Sequence, residues 1–237
     1  MKIVSSAVCE TGQKRNINQD SIYFYHSENW GMFAVADGMG GHEKGEYASN
    51  EVTHALQMWV QEHPHLEEVD TPDIVRMLKQ ILDEVNNKIR EVTPVGKICG
   101  CTIVIMVLVR RECILITAGD SRCYEIQQEN RCVQLVQLSV DDVVGGEGSQ
   151  KNHLTNALGV KIPFTCRRRV LPFKGIHLFL ICSDGIYKYC RKEQINRIVG
   201  NMTEITVDKT LAELQKCVEA NGAGDNYSAI LVWAEND

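Results

Sequence analysis

Three short apolar segments in the middle of the chain follow one another with only brief turns between them. Residues 102–109, 113–118 and 122–127 are rich in Ile, Val, Leu and Tyr, and charged or glycine-bearing residues separate them. A parallel pair of strands needs a crossover of about a dozen residues or more, which these turns cannot provide. The spacing therefore predicts an antiparallel meander in this part of the chain.

Elements on both sides of the meander extend this picture. The apolar pattern predicts further strands at residues 21–26, 31–36, 132–137, 168–171, 176–183 and 229–234. It predicts helices at residues 46–62, 192–199 and 207–220, the second ended by Gly200. A further helix is predicted from Thr71 as N-cap and Pro72 as first helical residue, with apolar residues three and four apart up to Ile89.

The order of these elements is strands, two helices, many strands, two helices and a last strand. This order differs from the strict alternation of a parallel α/β fold and predicts a layered α+β fold. The sequence shows no internal repeat and no low-complexity linker, so we expect a single domain over residues 1–237. Hydrophobic residues at 44% and charged residues at 24% are ordinary for a globular protein, which argues against disorder.

The charge balance and the apolar runs limit the partners and the location. Lys and Arg number 25 and Asp and Glu 31, so the formal net charge is −6, and no basic stretch offsets it. We therefore expect no nucleic-acid partner. No apolar run approaches the ~20 residues of a membrane helix, and the apolar start of the chain is too short for a signal peptide. We expect a cytoplasmic protein that does not enter a membrane.

The ten cysteines are scattered along the chain from Cys9 to Cys217. No Cys-x-x-Cys pair occurs, and Cys99 and Cys101 are too close in sequence for a good zinc half-site. The interpretation that fits best is buried free thiols that pack as small hydrophobic residues. The alternative, a disulfide framework, fits neither the chain length nor the expected compartment.

Acidic residues stand where several predicted strands begin or end. Each Asp-Gly or Asp-Asn step alone is most simply explained by turn chemistry. As a set, carboxylates on one rim of a sheet would repel each other unless a cation joined them, and oxygen ligands suit Mg²⁺ or Mn²⁺ better than Zn²⁺. The set consists of Asp20, Asp37 before Gly38, Asp120, Asp184 before Gly185, and Asp225 before Asn226.

The sequence around Asp37, FAVADGMGGH at residues 33–42, resembles the core signature of the metal-dependent protein phosphatases of type 2C in their bacterial form. Other motifs of that family follow in its order along nearly the whole chain. They are RNINQD at 15–20, GEYAS at 45–49, GCT at 100–102, GDSR at 119–122, LTNALG at 154–159, SDG at 183–185 and DN at 225–226. One such motif is weak, but this many in the right order are a specific signal.

The resemblance implies a fold, an activity and partners. The fold is a four-layer α-β-β-α sandwich, in which two antiparallel sheets are flanked by helix pairs. The activity is hydrolysis of phosphoserine and phosphothreonine by a hydroxide that bridges two Mn²⁺ or Mg²⁺ ions, with a third ion in bacterial members. The implied substrates are phosphorylated proteins, the products of a serine/threonine kinase, and we expect a monomer.

The resemblance also implies metal ligands. Asp37 would bridge two ions, and the backbone carbonyl of Gly38 would bind one of them. Asp184 and Asp225 would complete the second site, and Asp120 with Asp184 would hold the third ion.

The remaining roles concern water and phosphate. Asp20 would orient water on the metal ions. Arg15 would grip the substrate phosphate with two hydrogen bonds. Asn226 would orient Asp225 or contact the phosphate.

Three features depart from the family pattern. Gln19 stands where many relatives carry Glu, which could weaken one ion site. Met39 replaces a His proposed as general acid in eukaryotic relatives, and we do not transfer that role to His42. Residues 141–152 occupy the place of the family's flap and are short and glycine-rich, which predicts either a mobile, open loop or a plain shortened turn.

Two other functions remain open on the same fold. A pseudophosphatase would bind phosphoproteins without hydrolysis, but it would be expected to lack a metal ligand. A hydrolase of small phosphorylated metabolites would keep the metals. A phosphate-loop NTPase is excluded because the glycine-rich stretch lacks Gly-Lys-(Ser/Thr).

Overall fold

The strands and helices follow the chain in the predicted order. The structure is a computed structural model that describes residues 1–40, 44–129, 132–144 and 153–236. Its strands are β1 Lys2–Glu10, β2 Asp20–His26, β3 Trp30–Gly40, β4 Cys99–Cys101, β5 Ile103–Val109, β6 Glu112–Ala118, β7 Arg122–Glu129, β8 Cys132–Gln137, β9 Val143–Val144, β10 His153–Leu154, β11 Arg167–Pro172, β12 Gly175–Cys182 and β13 Tyr227–Asn236. Its helices are α1 Lys44–Glu62, α2 Thr71–Val92, α3 Asp184–Tyr187, α4 Lys192–Val199 and α5 Val207–Ala220.

The strands form two antiparallel sheets. One has the order β1-β13-β12-β7-β8, and the other has the order β11-β6-β5-β3-β2, with β4 paired to the end of β3. A small ribbon joins β9 and β10. The predicted meander is confirmed for β5 and β6, which pair antiparallel. It is wrong for β7, which pairs with β8 and β12 in the other sheet, because the turn at Gly119 and Asp120 carries the chain from one sheet to the other.

Side chains pack in three apolar layers that separate the sheets and helices. Strand β5 contributes side chains to two of these layers, because successive side chains of a strand point to opposite faces of the sheet. Its Ile103 and Ile105 pack with α1 and α2, whereas Val104 and Met106 pack against the other sheet. The third layer joins the β12 and β13 sheet to α4 and α5. The four-layer α-β-β-α arrangement with flanking helix pairs is therefore confirmed.

The sequence patterns missed or misplaced some elements. Strand β1 was not predicted, because its half-buried residues show no clean alternation, yet it pairs with β13 along its whole length. The assignment of Thr71 as an N-cap is wrong. Asp70 occupies that position, and the Thr71 hydroxyl instead accepts a hydrogen bond from Arg110 at 2.6 Å and donates one to Glu112.

The nine cysteines whose side chains the structure describes are free thiols, as predicted. Most are buried, and burial raises the pKa of the Cys113 and Cys182 thiols to about 12, which keeps them protonated and inert. Within the described ranges, no helix has the length and apolar character needed to cross a membrane.

Candidate metal centre

The acidic residues singled out in the sequence converge on one cavity. Asp37, Asp120, Asp184 and Asp225 all line it, and its volume is about 470 Å³. Arg15, Gly38 and Asn226 also line this cavity. Asp20 lies beneath it, directly opposite Asp37 in the register of β2 and β3.

The strand ends of both sheets place these carboxylates on a common rim. Asp37 lies within β3 just before the strand ends, and Asp120 lies in the turn between β6 and β7. Asp184 begins α3 directly after β12, and Asp225 precedes β13. Neighbouring strands therefore carry residues that are far apart in sequence to the same end of the sandwich.

Thr102 fixes the backbone at Asp37. The Thr102 Oγ1 accepts the Asp37 N–H at 3.0 Å, and the Thr102 N–H donates to the Asp37 carbonyl at 2.9 Å. The Thr102 hydroxyl also lies 2.7 Å from the Ser121 hydroxyl, next to Asp120. One buried threonine therefore connects the backbone of Asp37 to the side chain of Ser121, the residue after Asp120.

Gly38 occupies a position where no other residue fits. A Cβ atom there would lie 2.2 Å from the Gly45 carbonyl oxygen and 2.5 Å from that of Gln19. The Gly38 N–H donates to the same Gln19 carbonyl at 3.0 Å. The missing side chain allows the segment of residues 37–40 to pack against the start of α1.

Asp20 is held by two serines of the opposite sheet. Ser183 and Ser228 donate hydrogen bonds to its Oδ2 at 2.7 and 2.8 Å. Its Oδ1 is buried without a hydrogen-bond partner among the described residues. A buried acceptor without a partner is costly, so this oxygen is suited to accept a hydrogen bond from a water or ligand in the cavity.

Burial and mutual repulsion disfavour the charged forms of several of these carboxyl groups. Burial, together with the charges of Asp184 and Asp225 and opposed by the serine hydrogen bonds, raises the pKa of Asp20 to about 6. The pKa of Asp37 is raised well above its usual range by burial and by the surrounding carboxylates. Burial and the charge of Asp184 raise the pKa of Asp120 to about 6. A cation in the cavity would relieve this repulsion.

Two cationic side chains already contact the rim. Arg15 binds Asp225 through its Nε at 2.9 Å and its Nη2 at 3.1 Å. Lys188 forms an ion pair with Asp184 and lines the cavity. Sequence reasoning missed Lys188, although the i,i+4 spacing from Asp184 is typical of an ion pair on a helix.

Asn226 holds the N-terminal loop in place. Its Nδ2 donates to the carbonyls of Thr11 and Ile17, both at 2.9 Å, and its Oδ1 accepts the Gln19 N–H at 3.0 Å. These contacts use both amide N–H donors. The side chain thereby anchors the loop that carries Arg15, and contact with phosphate remains a prediction.

The donor set fits hard divalent ions. Carboxylate oxygens and a backbone carbonyl at a glycine are the ligands that Mg²⁺ and Mn²⁺ prefer, and the partnerless Asp20 oxygen supplies an acceptor for water. In the described ranges, no three or more His, Cys, Asp or Glu side chains form a ready-made metal cluster. The ions would therefore depend on backbone and water oxygens as well as on the carboxylates.

Some predicted features lie outside the described residues. These are His42 and residues 145–152 of the flap segment. The described start of that segment is anchored by Asp142, whose side chain accepts hydrogen bonds from the Gly119 N–H at 3.2 Å and from Arg167 at 2.8 Å. Asp142 thereby connects the segment to the turn that carries Asp120.

Comparisons with known proteins agree with this geometry. The family model for protein phosphatase 2C matches residues 11–229. The serine/threonine phosphatase stp of Listeria monocytogenes is 26% identical, and the match covers 94% of this chain and 92% of that protein. The protein phosphatase PhpP of Streptococcus pneumoniae is 28% identical, with 96% of each chain covered.

A solved structure shows the same fold. The serine/threonine phosphatase Stp1 of Staphylococcus aureus superposes with a TM-score of 0.84 at 22% identity, and the match covers 100% of this chain and 96% of that one. The family match spans most of the chain, and the acidic motifs of the family lie together on one cavity. The chain therefore belongs to the protein phosphatase 2C family, the metal-dependent serine/threonine protein phosphatases.

Proposed function

We propose that this protein removes phosphate from phosphoserine and phosphothreonine in proteins, using two or three Mn²⁺ or Mg²⁺ ions at the acidic cavity. The observation that carries the proposal is the convergence of Asp37, Asp120, Asp184, Asp225 and Arg15 on one cavity. A rim of carboxylates alone would repel a phosphate. A rim of carboxylates that holds divalent ions, with a guanidinium beside it, attracts one.

The ligand assignment follows the position of each oxygen. We assign Asp37 and the Gly38 carbonyl to the ions nearest β3, and Asp184 and Asp225 to those nearest β12 and β13. Asp120 with Asp184 is assigned to a third ion. When bound, such ions lower the pKa of water and offset the charge of the reacting phosphate.

The protein's own side chains would bind and orient the reactants. The Arg15 guanidinium has five N–H donors, so it can hold Asp225 and still bind phosphate oxygens. The Asp20 Oδ1 would accept a hydrogen bond from the attacking water and set its direction. Asn226 would keep Arg15 in place through the loop of residues 11–19.

The proposal also concerns the domain organisation, the oligomeric state and the location of the protein. We assign residues 1–237 to one catalytic domain that acts as a monomer in the cytoplasm on the products of a serine/threonine kinase. The net charge of −6 supports protein substrates over nucleic acid.

The test is hydrolysis of matched phosphopeptides that differ only in phosphoserine, phosphothreonine or phosphotyrosine. Each is assayed with Mn²⁺, with Mg²⁺ and with excess chelator. We expect release of phosphate from the first two with metal and none with chelator. Binding of the peptides without hydrolysis would indicate a pseudophosphatase. Activity restricted to small phosphorylated metabolites would indicate a metabolite hydrolase on the same fold.

A further inference from the structure

A second cavity lies beside the metal centre. It has a volume of about 410 Å³ and is lined by Arg90, residues 93–98, Gly159 and Val160. We call it the α2 groove, because it begins at the C-terminal end of α2. None of its residues belongs to the acidic cavity.

The α2 groove combines exposed apolar side chains with cations. Val95 is fully exposed, Ile98 is 63% exposed and Val160 is 39% exposed. Arg90 and Lys97 supply positive charge, and the described lining contains no Asp or Glu. In a chain with a net charge of −6, a cationic apolar groove is suited to a partner that carries both acidic and apolar groups.

The floor of the groove is held firmly. Asn86 is buried, and its Oδ1 accepts the Gly159 N–H at 2.8 Å while its Nδ2 donates to the Lys161 carbonyl at 3.1 Å. Arg90 donates to the Val160 carbonyl at 3.1 Å. These contacts tie residues 159–161 to α2, so the groove is formed in advance and loses little entropy when it binds.

The groove and the acidic cavity share a wall. Gly40 lines the acidic cavity and pairs with Cys99, and the Ile98 carbonyl lies 2.6 Å from where a Gly40 Cβ would be. At Gly100, the Met39 Cε and a Val160 methyl each lie 3.2 Å from the position of a Cβ. Met39 lines one cavity and Val160 the other, so side chains of the two cavities lie within about 6 Å of each other over Gly100.

We propose that the α2 groove binds the segment of a phosphoprotein substrate that flanks its phosphorylated serine. It accepts an apolar side chain against Val95 and Ile98 and an acidic side chain beside Lys97. Met39 and Val160 lie within about 6 Å of each other, and an extended chain advances about 3.3 Å per residue, so residues from about two positions away from the phosphoserine reach the groove. The inference rests on the proposed phosphatase activity and adds a substrate preference to it.

The test compares three phosphoserine peptides with p-nitrophenyl phosphate, which has no flanking residues. The reference peptide has alanine around the phosphoserine. The other two carry Leu and Glu two and four positions after it, or in the same places before it. We expect one of these two to exceed the reference by about tenfold in kcat/KM, because it buries an apolar side chain and pairs a charge.

Two variants locate the effect. In Lys97→Glu and in Val95→Asp, we expect the ratio of kcat/KM for the preferred peptide to that for p-nitrophenyl phosphate to fall about fivefold, through KM. A peptide with Lys in place of Glu should recover the loss in Lys97→Glu. The matched control is Ile205→Asp, an equally exposed site far along the chain, where the ratio should not change.

Several results would overturn the proposal. One is an equal kcat/KM of the wild type for all three peptides. Another is an unchanged ratio of peptide to p-nitrophenyl phosphate kcat/KM in both groove variants. A third is a groove variant that loses as much kcat/KM with p-nitrophenyl phosphate as with the preferred peptide. A dimer that dissociates in Val95→Asp, without any peptide preference, would assign the groove to a second copy instead. If the wild type hydrolyses neither peptides nor p-nitrophenyl phosphate, the phosphatase assignment itself fails.

Discussion

Arg15 forms an ion pair with Asp225 across 210 residues of sequence, in which Nη2 donates a hydrogen bond to Oδ2 at 3.1 Å and Nε lies 2.9 Å from Oδ1. The pair joins the residue assigned to the substrate phosphate to one assigned to a metal ion. The guanidinium is about half exposed and has further N–H donors. Phosphate binding and the position of a metal ligand are therefore coupled through one side chain.

Removing this guanidinium should weaken substrate binding. We expect Arg15→Ala to lower kcat/KM by about 10–150-fold, which corresponds to a charged hydrogen bond of about 1.5–3 kcal/mol. Arg76→Ala is a matched control, because Arg76 forms an exposed ion pair with Asp73. Steady-state kinetics on a phosphopeptide measure both. A loss below about threefold in Arg15→Ala would remove it from the phosphate site.

The carboxylates of Asp37 and Asp184 should be essential for activity but not for folding. Asp37→Asn and Asp184→Asn each remove one negative charge from the rim, so we expect most activity to be lost while the circular dichroism spectrum is kept. Asp83→Asn serves as the control, since Asp83 pairs only with Lys79 on α2 among the contacts of the described residues. Wild-type rates in both rim variants would place the site elsewhere.

Divalent ions should stabilise the folded protein. The carboxylates at the rim repel each other, and an ion that binds the folded state alone shifts the unfolding equilibrium by mass action. We expect the Tm to rise with Mn²⁺ or Mg²⁺ concentration, and we expect Asp37→Asn to respond less. A Tm that does not change with metal concentration would contradict the assignment of the cavity to metal.

The chelator-treated protein should lose stability as the pH rises. The pKa values of Asp20 and Asp120 are about 6 in the fold, against 3.8 for a free carboxyl group. Between these values the folded state binds more protons than the unfolded state, so the free energy of unfolding falls as pH rises from about 4 towards 7. Urea denaturation at several pH values measures this slope.

A matched pair of variants tests the origin of that slope. Asp120→Asn removes one of the shifted groups, so its slope should be smaller than that of the wild type. Asp73→Asn, at a half-exposed carboxylate on α2, should leave the slope unchanged. Identical slopes in all three proteins would show that the rim carboxylates do not cause it.

The Thr102 hydroxyl should matter for both stability and activity. Thr102→Val keeps the shape but leaves the Asp37 N–H without its acceptor, so we expect a loss of about 1–3 kcal/mol in the free energy of unfolding. Thr102→Ser keeps the oxygen and should recover most of the activity. Equal effects of the two substitutions would point to packing of the methyl group instead of the hydrogen bond.

Local patterns were sufficient for most of the fold. The short apolar run of β5, the spacing along α2 and the boundaries of α4 and α5 follow from which residues are apolar, because a short continuous apolar run favours a buried strand and a period of 3.6 favours a helix. The apolar pattern does not predict strand β1. Its residues are only partly covered, and its pairing with β13 is a contact between the two ends of the chain.

The sequence by itself determined the order of the elements, the layered α+β class and the acidic chemistry, since these depend on residue types at short spacings. Only the tertiary structure decided how that chemistry is assembled. In the folded protein, Lys188 forms an ion pair with Asp184, and Asn226 donates both amide hydrogens to the loop that carries Arg15. Ser183 and Ser228 donate hydrogen bonds to Asp20 of the opposite sheet. The physical reason is that strand register and the packing of two sheets fix these contacts, and neither is encoded by any short stretch of sequence.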